Sequence, residues 1–129
     1  MKINYVENKN GKLFSFHKHD YKENTDELGQ YIMIDGGFDY YRYSGELKSG
    51  EIKDLMPAIR EQFIWGQNYD KNGERLEKTK YVVLKDLDTS HITGILRYFA
   101  EKLTVDTILD IDWISIHLIF IYELENRLK

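Results

Sequence analysis

The sequence predicts an α+β fold: an N-terminal antiparallel sheet with a Gly-Gly hairpin, packed by two or three C-terminal helices. Three observations carry this. Short apolar stretches with strand-like alternation fill the first 44 residues, and asparagine and glycine punctuate them. From residue 51 onward the apolar spacing becomes mainly helical. At 129 residues the chain can bury one core and is expected to form a single domain, 1–129.

Lys2–Val6 and Leu13–Phe16 flank Asn8–Lys12 and read as two strands and a turn. Residues 17–29 are polar and end in a second turn at Asn24–Gly29. Gln30–Ile34 and Phe38–Tyr43 flank Gly36-Gly37, the clearest hairpin signal, because two glycines supply the positive φ values of a two-residue I′ or II′ turn. Either two-residue register puts Tyr31, Met33, Asp35, Phe38, Tyr40 and Arg42 on one face. Ile32, Ile34, Asp39, Tyr41 and Tyr43 fall on the other, and the face with Ile32, Ile34 and Tyr41 is expected to be core.

Ile52, Leu55, Met56, Ile59 and Phe63 recur at helical spacing, predicting a helix over Glu51–Trp65 ended by Gly66. Pro57 fits the first helical position, which would move the start to about Met56. Asn68–Glu77 reads as a polar loop turning at Asn72-Gly73, and Lys80–Leu84 as a short strand. Asp88-Thr89 opens a helix through about Lys102, with Ile92, Ile95, Leu96 and Phe99 on one stripe. In Val105–Arg127, Leu109, Ile111 and Trp113 alternate like a strand, whereas Ile114, His117, Leu118, Ile121, Tyr122 and Leu124 fit a helix. Length favours helix.

Composition excludes several classes. There is no cysteine, so disulfides, thiol catalysis and zinc ribbons are out, and a reduced cytoplasmic setting is the natural expectation. The net charge of −4 provides no overall basic field for a nucleic-acid backbone, which disfavours that partner. Residues 1–12 contain no apolar signal-peptide region, and the apolar run 118–122 is too short to cross a bilayer, so no membrane role is expected. No cofactor motif appears: Gly36-Gly37 lies at a hairpin tip, not a strand-to-helix turn, and no serine sits in a nucleophile elbow.

The motifs HKHDY (17–21), DELG (26–29), YIMIDGGFDYYRYSG (31–45), FIWGQNYDKNG (63–73) and YVVLKDLDTSHITGIL (81–96) together resemble a group of short proteins of tailed phages and prophages. The resemblance covers roughly residues 13–99. It implies a mobile-element setting and an accessory role inside a bacterial host, and it hands over no active site.

Two constellations are candidate sites. If residues 16–20 are extended, His17 and His19 project to one face about 7 Å apart. With Asp20 and Asp35 they form a candidate 2-His-carboxylate metal set for a small hydrolase. The register places Asp35 and Asp39 on opposite faces, which argues against a carboxylate pair. The other constellation is a binding surface of Tyr31, Tyr40, Arg42 and Tyr43, with Trp65 as an anchor. Flat rings bury area at low entropic cost, and arginine forks onto carboxylates or phosphates. A non-enzymatic binder of a host macromolecule, a host protein first, is the leading expectation. The alternatives are the metal-dependent hydrolase and a nucleotide-binding module on the Tyr/Arg hairpin.

Overall fold

A computed structural model describes residues 1–17, 20–37, 41–70, 72–108 and 110–129, without the side chains of 107 and 108. The described elements run β1 (Lys2–Asn8), β2 (Gly11–Leu13), β3 (Tyr21–Thr25), β4 (Tyr31–Asp35), β5 (Arg42–Ser44), β6 (Lys48–Glu51), α1 (Ile52–Gln62), β7 (Ile64–Tyr69), β8 (Arg75–Val83), α2 (Thr89–Glu101), α3 (Val105–Ile108) and α4 (Ile111–Arg127). A 3-10 turn at Leu84–Asp86 links β8 to α2. The fold is α+β.

The central strand is β1, because both of its faces are buried. It lies between β2 and β6 in an antiparallel sheet, and residues 14–47 between those neighbours carry a second sheet, the meander β3-β4-β5. Alternation along β1 sends Ile3 and Tyr5 to one face and Val6 and Asn8 to the other. Ile3 and Tyr5 join the large core with Phe14, Phe16, Phe63 and the inner faces of α1 (Ile52, Met56, Ile59), α2 (Ile92, Ile95, Phe99) and α4 (Ile119, Phe120). Val6 meets Ile32 and Ile34 of β4 in a smaller cluster edged by Leu13 and Leu47.

Polar side chains close the seams. Asp26 accepts hydrogen bonds from the backbone N–H of Lys9, Leu28 and Gln30, tying the β1–β2 turn to the β3–β4 turn. These bonds hold its carboxyl below the ordinary carboxylate range. Gln62, at the end of α1, lies along the outer edge of β2: its amide donates to the Lys12 carbonyl and accepts from Phe14 N–H at 3.3 Å. Glu123 of α4 is fully buried and accepts from Arg60 Nε and Nη2, both at 3.0 Å, and from Arg127 Nε at 2.8 Å. Arg127 also donates to the carbonyls of Leu84, Lys85 and Leu87, which locks α4 onto the turn before α2.

Four expectations are corrected. The strands around Gly36-Gly37 do pair, but Asp35 pairs with Arg42, a register that puts neither Asp35-Gly36 nor Gly36-Gly37 at the tip. Gly36 and Gly37 have φ of 129° and 126°, well beyond the left-handed values of a I′ turn, and Gly36 N–H bonds back to the Asp20 carbonyl. An even-numbered connection preserves the facing pattern: Asp35 and Arg42 share one face, Ile34 and Tyr43 the other. Phe38, Asp39 and Tyr40 lie outside the described residues. Residues 21–25 form strand β3 within the stretch read as polar loop. Helix α1 begins at Ile52 with Pro57 inside it, because burial of Ile52, Met56 and Ile59 outweighs one lost hydrogen bond. Residues 64–69 and 75–83 form a hairpin with a bulge, so strand replaces the expected helix end and half of the loop. The segment after 105 is helical, with a break where Asp110 caps α4 through the N–H groups of Asp112 and Trp113.

Candidate functional site

The outer face of the meander assembles from alternate residues of three strands. Pairing aligns Tyr21 with Asp35, Glu23 with Met33, Thr25 with Tyr31, and Asp35 with Arg42. The face therefore presents Tyr21, Glu23, Tyr31, Met33, Asp35 and Arg42 together. Tyr21 and Tyr31 both donate their hydroxyls to one oxygen of Glu23, at 2.6 and 2.8 Å. The two hydroxyl oxygens lie 3.5 Å apart. These bonds hold the Glu23 carboxyl below its usual range, and the same carboxylate pushes the Tyr21 phenol well up. At the other end Arg42 pairs with Asp35. Both tyrosines stay exposed, Tyr21 at 53% and Tyr31 at 40%.

Of the predicted surface residues, Tyr31 and Arg42 are thus brought together. Tyr43 pairs with Ile34 and belongs to the inner face, although its ring, beside Tyr41 at 6.1 Å, is exposed at the sheet edge. Tyr40 lies outside the described residues. Trp65 belongs to a different part of the molecule. Tyr21 and Glu23 are the members that sequence reasoning missed; the alternation Tyr21, Glu23, Thr25 against Lys22 and Asn24 was the available signal.

Asp20 is committed to its own loop. Its Oδ2 accepts from Phe16 N–H and His17 N–H, both at 3.1 Å, and its N–H donates to the His17 carbonyl at 2.9 Å. The His17 ring packs on Phe63, with centroids 5.5 Å apart. Asp35 is occupied by Arg42, and His19 lies outside the described residues. Among the described residues, no group of three or more histidine and carboxylate side chains converges as metal ligands. His17 and Asp20 do share the wall of a cavity of about 350 Å³ with Ile64, Trp65, Gly66 and Tyr81.

Trp65 is the hub of a second region. Its ring stands edge-on to Phe120 and Phe99, with centroids at 5.1 and 6.2 Å, and is fixed there by the core. Beyond it, two hollows of about 290 and 540 Å³ share Trp65, His91 and Tyr98 as lining. The His117 ring packs on Trp113 and Phe99, and burial pushes its imidazole below the usual range. Among the described residues, no helix is long and apolar enough to cross a membrane. No family model, curated protein or solved structure matches this chain.

Proposed function

We propose that this protein is a non-enzymatic binder that docks a host protein through the outer face of β3-β4-β5, in the cytoplasm of a bacterium carrying a phage or prophage. The observation that carries the reading is the shared Glu23 carboxylate, which holds two exposed tyrosine rings in place before any partner arrives. Ordering side chains at an interface costs affinity, and a ring fixed in advance avoids that cost. Tyrosine is among the residues that dominate interface energies.

The chemistry of the face specifies the partner. Glu23 places a carboxylate between the two rings, Asp35 carries a second one in the row of Tyr21 and Arg42, and the chain as a whole has a net charge of −4. A basic protein surface presenting arginine satisfies both features, since guanidinium stacks on tyrosine and forks onto carboxylate.

The test is affinity capture from a bacterial lysate with the wild-type chain, Tyr21→Ala, Tyr31→Ala and the remote control Tyr98→Ala. A basic protein retained by wild type and by Tyr98→Ala, and lost by both meander variants at unchanged Tm, supports the proposal. Binding by each meander variant should weaken about 30-fold, as for an interface hot spot. Equal retention by all four, or none by folded wild type, overturns it.

A further inference from the structure

We propose that the cleft between β7 and α2 binds a mononucleotide, with the base seated against Trp65 over the notch at Gly94. This site is separate from the meander face and does not depend on it.

Four observations carry the inference. One wall of the cleft is β7, contributing Trp65, Gln67 and Tyr69, and the other is α2, contributing His91, Gly94, Ile95 and Tyr98. The larger hollow, about 540 Å³, lies within the roughly 300–1,000 Å³ typical of small-ligand sites.

Gly94 comes second. It sits within α2, three residues after His91 and four before Tyr98, so the three share one stripe of the helix. A Cβ built there would meet nothing within 4 Å, so packing does not require glycine. Glycine inside a helix lowers its stability relative to alanine, yet here it leaves a gap between two aromatic side chains. That gap opens directly onto Trp65.

The third observation is the lining chemistry. Trp65 is held nearly perpendicular to Phe99 and Phe120, which fixes the indole where it lines the cleft. Gln67 donates through Nε2 to the Tyr69 carbonyl at 2.7 Å, which orients the side-chain amide, and the His91 imidazole lines the opposite wall. A flat heterocycle with hydrogen-bonding edges suits this set better than an aliphatic ligand.

Charge supplies the fourth. The Arg75 guanidinium lies over the Tyr69 ring at 5.9 Å, and the Lys102 ammonium over the Tyr98 ring at 5.6 Å. Lys80 pairs with Gln67 and shares its face of the hairpin. An acidic protein thus places cations on both sides of this cleft, where they would meet the phosphate of the seated base.

Nucleoside monophosphates are titrated into the full chain while tryptophan fluorescence is followed, with oligothymidylate as a separate arm. Saturable quenching by at least one mononucleotide is expected. Gly94→Leu, which fills the notch, should weaken that binding at least about tenfold, within the loss expected for one stacked base. Gly94→Ala should melt at or above the wild-type Tm, showing that the glycine is not structural. Saturation that Gly94→Leu leaves unchanged in a folded protein overturns the proposal. So does the absence of saturation by any mononucleotide, and binding of the oligonucleotide alone would assign the cleft to a strand instead.

Discussion

Lys22 offers the sharpest test of how this fold is held together. It lies on β3 directly across from Ile34, on the inner face of the meander, and its ammonium sits over the Phe16 ring at 4.6 Å. Among the described residues its Nζ is buried without a hydrogen-bond partner. Burial pushes its pKa from 10.5 down to about 8, against a weaker opposing pull from Asp20. At about 1.36 kcal/mol per pH unit, keeping this lysine charged in the native state costs roughly 3 kcal/mol. The Phe16 ring returns about 1 kcal/mol of that by cation–π attraction. Lys22→Met, which keeps the length and removes the charge, should therefore stabilise the protein by about 2 kcal/mol at pH 7. For a chain of this size the gain corresponds to roughly 6–10 °C in Tm. The sign of the pH dependence follows from proton counting. Between pH 8 and 10.5 the unfolded chain binds more protons at this site than the folded one, so wild-type stability rises with pH across that window. The advantage of the variant is constant below pH 8 and shrinks towards pH 10.5. Urea unfolding of both proteins at pH 7, 8, 9 and 10 measures the difference directly. A variant no more stable than wild type at pH 7, or a difference that does not change between pH 8 and 10, would refute the reasoning.

Glu123→Gln leaves Arg60 and Arg127 without their shared carboxylate and should cost about 3 kcal/mol in denaturant unfolding at pH 7. Burial alone would raise the Glu123 pKa, but the two arginines outweigh it and lower it. Its contribution is therefore complete above 4.5 and lost as the pH falls towards the depressed folded value, so the variant and wild type should converge in acid. Gly45 has φ +104°, and an added Cβ would come within 2.9 Å of Ile32 Cγ2. Gly45→Ala should therefore cost about 2–3 kcal/mol, against about 1 for Gly73→Ala, where φ is +82° and the space is open; equal thermal shifts would contradict this. Gln62→Ala removes both hydrogen bonds along the β2 edge, and about 1 kcal/mol of stability should go with them. Faster hydrogen exchange at Phe14 N–H is the local readout.

What was legible in the chain followed from apolar periodicity. The strands at residues 2–8 and 31–35 and helices α1 and α2 announce themselves because one side of each is apolar, whereas in Val105–Arg127 strand-like and helix-like spacings competed and length decided for helix. The facing pattern of Asp35 and Arg42 was legible too, since any even-numbered connection after Asp35 preserves it, even though the register centres beyond Gly36-Gly37. Strand β3 was not legible: the sequence YKENT alternates tyrosine, glutamate and threonine with lysine and asparagine, and its inward lysine inverts the usual polarity rule. The hairpin β7-β8 was legible only in part, at Lys80–Leu84, because residues 64–65 read as a helix end and Asn68–Glu77 as a polar loop. In the candidate site, Tyr31 and Arg42 could be placed from register alone. The partners that fix the face, Tyr21 and Glu23, come from the strand that periodicity did not reveal. Trp65 was recognised as an anchor, but its separation from the tyrosine face follows from tertiary packing against Phe99 and Phe120.

The polar strands that concealed themselves in the sequence share one position in the architecture. Both β3 and β8 are sheet edges, and β2, the edge of the central sheet, is covered along its outer side by the Gln62 amide. An unpaired strand edge is a template for a strand from another molecule, and short, charged or covered edges are what discourage such addition. Glu23 and Lys22 on β3, and Arg75, Glu77, Lys78 and Lys80 on β8, place charge along two such edges. The residues that weaken the strand signal are thus the ones that keep small, open sheets from growing by the edge-to-edge pairing that leads to aggregation.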